Sequence, residues 1–176
     1  MITLYHGSPF CVTQPLVTAG RKNLDFGQGF YLTRLREQAE TWAVIISSRQ
    51  KENRAPEAWL NIYKFDLEAA LADGYRSLRL EAYDRQWLDF ISASRHGKQP
   101  WAEYDFIEGG VANDKVVDAI EAYLSGLADL EHTLGKLAYA KPNHQICLRS
   151  QVLIDRHLHY VSSRQITEEE EKGDTL

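Results

Sequence analysis

Two short stretches of this chain combine residue types that can hold a small polar ligand. In YHGS, residues 5–8, a histidine closes an apolar run and is followed by glycine and serine. An imidazole in that position can hydrogen-bond a sugar hydroxyl, and Gly7 lets a flat ligand or an amide come close to the peptide groups. In LDFGQGFYLT, residues 24–33, Gly27 and Gly29 stand beside Phe26, Phe30 and Tyr31. Such glycines permit unusual dihedrals and put no side chain in the way, and Tyr31 offers an aromatic face for stacking. Each stretch also has a plain reading. His6 can be a polar residue where a strand turns, Tyr31 a core aromatic, and Gly-Gln-Gly a bent strand edge.

Other ligand chemistries are excluded or weakly supported. A dinucleotide fingerprint needs Gly-x-Gly-x-x-Gly, and Leu32 stands where its third glycine would be; a P-loop needs Gly-Lys-Ser/Thr. His157 and His159 alternate, so on a strand both face one side, and with no third ligand they read as surface residues rather than a metal site. Cys11 and Cys147 are too few for a disulfide framework and form no metal-ligand pair. Trp42, Trp59, Trp87 and Trp101 read as core or rim aromatics.

The elements that must carry these residues follow from apolar spacing. ITLY, residues 2–5, predicts a first strand, residues 7–24 a long loop, and FYLT a second strand. Leu35, Ala39, Trp42, Ala43 and Ile46 then recur at helical spacing within residues 34–53. Thr33 is the expected N-cap, with Arg36 where a capping box would have glutamate. Residues 59–67 alternate as a half-buried strand, and residues 80–95 form a helix stopped by Gly97. Residues 104–111 form a strand ending at two glycines. Asn113 or Asp114 caps a helix to about Leu124, whose apolar face is Val116, Val117, Ile120, Tyr123 and Leu124. A shorter helix covers residues 129–138, and HQICLRS and HLHYVSS are closing strands. Strands and helices alternate irregularly, which predicts an α+β fold.

The 176 residues, 44% hydrophobic and 26% charged, suit one globular domain, placed at residues 1–163 with an acidic tail at 164–176. A formal charge of −5 argues against a broad nucleic-acid footprint. No apolar run has the length of a membrane span, and the opening MITLYHGSPF lacks the pattern of a secretion signal. A cytoplasmic protein with no membrane partner is expected.

Taken together, LYHGS, DFGQGFYLT and a following helix with QAETWA resemble the ADP-ribosyltransferase fold of the diphtheria-toxin and PARP type. With YDFIEGGVAND and NHQICLRS added, the chain resembles small bacterial proteins that are often encoded beside an antitoxin-like protein. The resemblance spans about residues 2–161. It implies a split β-sheet core, antiparallel and mixed, with flanking helices. It also implies transfer of ADP-ribose from NAD to a protein or nucleic-acid acceptor, by the toxin of a toxin–antitoxin pair.

Roles come with the resemblance. His6 would bond the adenosine ribose of NAD, and Gly7 would hold the nicotinamide amide with Ser8 beside it. Tyr31 would stack on the nicotinamide, in a slot kept open by Gly27 and Gly29 and bordered by Phe26. Arg21 would reach the pyrophosphate. A further role in shaping the pocket would fall to Asn113 and Asp114. At the start of the late strand, where this class has a catalytic glutamate, the match is Gln145, with His144 as the neighbouring choice. Glutamine accepts a hydrogen bond but supplies neither negative charge nor a general base. A non-catalytic NAD-type binding module of the same fold is therefore the alternative. An RNA 2′-phosphotransferase ranks last, because no Arg/His pair for a phosphate pocket is visible.

Overall fold

The structure is a computed structural model, and it describes residues 1–22, 24–49, 57–110, 114–138 and 143–167. Among the described residues it is α+β, with two sheets and no closed barrel. In the antiparallel sheet, β3 (Ala58–Phe65) lies between β1 (Ile2–Ser8) and β7 (Leu158–Ile166). The mixed sheet has the order β2 (Phe30–Leu32), β6 (Gln145–Leu148), β5 (Phe106–Gly109) and β4 (Ser77–Leu80). Only the β4–β5 pair is parallel among these. A Tyr5–Thr33 bridge joins the two sheets at one edge.

The helices are α1 (Arg36–Ser48), α2 (Leu67–Ala72), α3 (Arg85–Arg95), α4 (Asp114–Leu124), α5 (Leu130–Leu137) and α6 (Gln151–His157). Side-chain caps start four of them. Asp66, Asp84, Asp129 and Ser150 accept the backbone N–H of Ala69, Trp87, His132 and Leu153. The cap expected from Thr33 falls two residues earlier: its Oγ1 accepts Leu35 N–H at 3.0 Å, and Leu35 precedes the helix without a side-chain bond.

Alternation along the strands produces two cores. Leu4, Phe30, Leu32, Tyr63, Phe65, Phe106, Ile146 and Leu148 pack between the sheets with residues of α2 and α6. On the other face of the mixed sheet, Ile107 and Cys147 meet Trp87, Leu88 and Ile91 of α3 and Val116, Ala119 and Ile120 of α4. The apolar faces of α1 and α4 are as the spacing predicts in Ala39, Ala43, Val116 and Ile120. Trp42 and Leu35 instead stay outside, 42% and 47% exposed.

Several boundaries differ from expectation. β1 continues through His6 and Gly7 to Ser8, because these pair with Asn61, Leu60 and Trp59 of β3; YHGS is strand, not strand end and loop. Residues 77–80 are β4, so the helix expected from residue 80 begins at Arg85. The six-residue α2 and seven-residue α6 were not expected. His157 therefore ends a helix rather than sharing a strand with His159, and its Nε2 lies 3.1 Å from Asp73 in a buried setting. A domain end at 163 falls inside β7, whose Arg164 and Ile166 pair with Leu60 and Ala58. Asn113 and residues 168–176 lie outside the described residues. No helix among the described residues is long and apolar enough to cross a membrane.

Candidate functional site

The site forms where β1, β2, β5 and β6 meet. His6 points between the sheets, its ring 4.5 Å from that of Phe30. Its Nδ1 lies 2.7 Å from the Tyr31 carbonyl, which can only accept, so Nδ1 carries the proton. The neutral ring then leaves Nε2 as an acceptor. Burial pushes the His6 pKa down, and the Tyr31 carbonyl only partly offsets this.

Tyr31 faces the opposite side of its strand. Its hydroxyl donates to the Gly27 carbonyl at 2.6 Å, and burial pushes the phenol well above its ordinary value. Tyr31 pairs in register with Cys147, whose thiol burial raises to about 12. That thiol is a packing group, not a nucleophile.

The glycines of both stretches are filled by protein. A Cβ on Gly7 would lie 1.9 Å from the Ala39 carbonyl oxygen, so β1 rests directly on the backbone of α1. Gly27 has φ of +78° and would push a Cβ to 2.6 Å from the Trp101 ring; at Gly29 a Cβ would meet Cys147 Sγ at 2.5 Å. These residues are glycine for close packing and, at Gly27, for left-handed backbone. The room expected for a ligand is thus not provided by their missing side chains.

The loop before β2 is fastened at several points. Arg95 holds the Asp25 carboxylate with two bonds, at 3.0 and 3.2 Å. Gln28 donates to the carbonyls of Thr18 and Gly20. Arg149 stacks over Trp101 at 4.3 Å and donates to the carbonyls of Trp101 and Tyr104. Phe26 is fully buried, edge-on to Phe90, so its side chain is core rather than a ligand contact. Ser8 spends its hydroxyl on its own turn, donating to the Phe10 carbonyl and accepting Phe10 N–H. Arg21 is exposed in the loop.

Gln145 opens β6, opposite Gly109 of β5. Beside it lies the polar feature that sequence reasoning missed. Glu108 is buried in β5, and Arg34 holds it with Nε to Oε1 at 2.8 Å and a terminal nitrogen to Oε2 at 3.2 Å. His144 Nε2 meets the same Oε1 at 2.7 Å. The Arg34 backbone N–H donates to His144 Nδ1 at 3.1 Å, which fixes a neutral ring with its proton on Nε2. Burial alone would raise the Glu108 pKa; hydrogen bonds from His144 and Arg34 and the guanidinium charge outweigh it and bring it down to about 2. A cleft of about 370 Å³ opens here, walled by Arg79, Glu81, Glu108, Gly110, Asn143 and His144.

The available signal was one acid, Glu108, in the otherwise apolar run FIEGG; a charge buried in a strand needs partners. Arg34 gave no comparable cue, and His144 stood out only as the neighbouring choice to Gln145. Among the described residues no group of three or more His, Cys, Asp or Glu is arranged to hold a metal ion.

A family model described as a protein of unknown function, DUF3990, matches residues 2–160. The chain belongs to this family. No curated protein matches the DUF3990 chain, and no solved structure does.

Proposed function

We propose that this DUF3990 protein is an NAD-dependent mono-ADP-ribosyltransferase and the toxin of a bacterial toxin–antitoxin pair. The observation that carries the reading is convergence. His6 bonds to the backbone of Tyr31, and Tyr31 is in register with β6, the strand that Gln145 opens. Three sequence-distant stretches, each resembling one part of an ADP-ribosyltransferase site, thus occupy one corner of the fold. The acceptor nitrogen at His6 Nε2 suits a ribose hydroxyl.

In the proposed reaction the bond between ribose C1′ and the nicotinamide nitrogen breaks, and nicotinamide leaves with the electron pair. An oxygen or nitrogen of the protein or nucleic-acid acceptor attacks C1′ and gives up a proton. Binding that favours the cation-like sugar over bound NAD lowers the barrier. Gln145 can bond a ribose hydroxyl there but adds no charge, which rules it out as a general base.

The test is incubation with NAD labelled in the adenylate half. Release of nicotinamide together with label on a macromolecule supports the reading, provided that His6→Ala abolishes both. A protein that neither binds nor cleaves NAD overturns it. The neutral Gln145 favours one alternative, a non-catalytic NAD-binding module, for which binding occurs without turnover. The antitoxin partner rests on the family resemblance, and co-purification with the product of the adjacent gene tests it.

A further inference from the structure

His144 is held more firmly than a residue before a strand needs to be. Its ring nitrogens are both engaged, Nδ1 by the Arg34 N–H and Nε2 by Glu108. Its peptide is clamped as well: Gln38 Oε1 accepts His144 N–H at 3.0 Å, and Gln38 Nε2 donates to the His144 carbonyl at 2.7 Å. Four hydrogen bonds from three segments thus converge on the residue next to Gln145. Strand ends ordinarily fray, and ordering one costs conformational entropy. Such over-determination is how a protein preorganises a working residue.

Glu108 is the centre of this clamp. It is the one buried acid among the described residues, with a side chain 10% exposed in the lining of the cleft. Its two oxygens join Arg34, which links β2 to α1, with His144, which precedes β6. The same carboxylate has a second cation, Arg79, at 3.7 Å. An ordinary stabilising ion pair would not need the imidazole, and leaving one partner without the other exposes a buried charge.

We infer that Glu108 is a positioning residue for the proposed transfer, acting through His144 to set where Gln145 stands beside the ribose. The inference rests on the NAD reading above. Glu108 does not touch the reacting atoms; it accepts the Nε2 proton of the tautomer that the Arg34 N–H fixes, and through that ring it holds the start of β6.

Glu108→Gln tests this, because the amide keeps the shape but has one acceptor oxygen for three donor groups. Two readouts are taken on the full chain. Proton–nitrogen NMR is expected to show a strongly downfield, slowly exchanging His144 Nε2 proton in the parent and a less shifted, faster-exchanging one in the variant. Nicotinamide release from NAD is expected to fall about tenfold to a hundredfold in kcat, with KM for NAD changed less than about twofold. An unchanged Nε2 proton signal, or a changed signal with unchanged kcat, overturns the positioning role. If the parent does not turn over NAD, the reaction reading fails; an unchanged Nε2 proton signal then still refutes the clamp, and a changed one shows it acting without that reaction and overturns the link to transfer. If Glu108→Gln does not fold, Arg34→Lys replaces the two-pronged contact with one and carries the same readouts, with a smaller fall in kcat expected.

Discussion

The Nδ1 proton of His6 is committed to the carbonyl of Tyr31, 2.7 Å away, across the join between the two sheets. One bond therefore sets the tautomer of the histidine and adds to the Tyr5–Thr33 bridge in holding β1 beside β2. Burial disfavours the charged imidazole, so the folded pKa lies below the unfolded value of about 6.5. Between those two values the unfolded chain binds the extra proton. Stability from this group is complete above about pH 6.5 and declines as pH falls toward the folded pKa. His6→Asn keeps a donor near the Nδ1 position but does not titrate. Thermal melts at pH 7.5 and 5.5 are expected to show a smaller acid-induced drop in the variant.

The sign is the same for Glu108, by another route and in a lower window. Its carboxyl stands at about 2 in the fold, against 4.5 ordinarily. The stabilisation, on the order of 3 kcal/mol, is present above about pH 4.5 and disappears as pH falls toward 2. Urea unfolding at pH 6 should show Glu108→Gln clearly less stable than the parent. Near pH 2.5 the two curves should approach each other. A constant difference across the range would mean that the charge of Glu108 does not matter.

Tyr31 separates two contributions that one substitution would confuse. Tyr31→Phe leaves the ring and removes the bond to the Gly27 carbonyl, at an expected cost of about 1 kcal/mol. Tyr31→Ala removes the ring as well. Under the transferase reading, NAD affinity measured by calorimetry stays within a few-fold for the phenylalanine and falls at least tenfold for the alanine. Equal losses would mean that the hydroxyl, not the face, matters.

Gln145→Glu restores a carboxylate at the start of β6. Nicotinamide release is expected to rise tenfold or more, since a fixed charge stabilises the developing cation. Turnover in this variant, with none in the parent, would move the protein to the binding-module reading.

Gly7→Ala sets the added methyl 1.9 Å from a carbonyl oxygen in α1, and overpacking of that degree costs at least about 3 kcal/mol. At Gly126, with φ of +74° and nothing within 4 Å of a Cβ, alanine meets only backbone strain of about 1–2 kcal/mol. Chemical denaturation of the two variants should preserve this order.

Much of the architecture could be read from the chain because the long elements repeat their apolar residues. Ala39 and Ala43 mark α1, Val116 and Ile120 mark α4, and Tyr63 with Phe65 mark β3. The elements missed are short. α2 and α6 have too few turns for a helical period, and SLRL too few residues for an alternating one. In the site, His6 and Tyr31 were legible as residue types. That Gly7, Gly27 and Gly29 face protein was not, since a glycine next to a ligand and a glycine next to a helix are the same letter. The clamp on His144 was hidden because Arg34, Gln38 and Glu108 come from separate elements brought together only by folding.

Strand order also sets a schedule. β1 and β2 are made before β6 and β7, yet β2 gains its strand partner only from β6, and β3 is flanked on its second side by β7. The Asn61 side chain is served from both sides of that interval, by Val12 N–H and by the Ser163 hydroxyl. A ribosome-bound nascent chain that has not yet released residues 145–148 therefore holds Tyr31 without β6, the strand with which it pairs. Whatever chemistry this corner performs is withheld from the cell until residues 145–148 have left the ribosome.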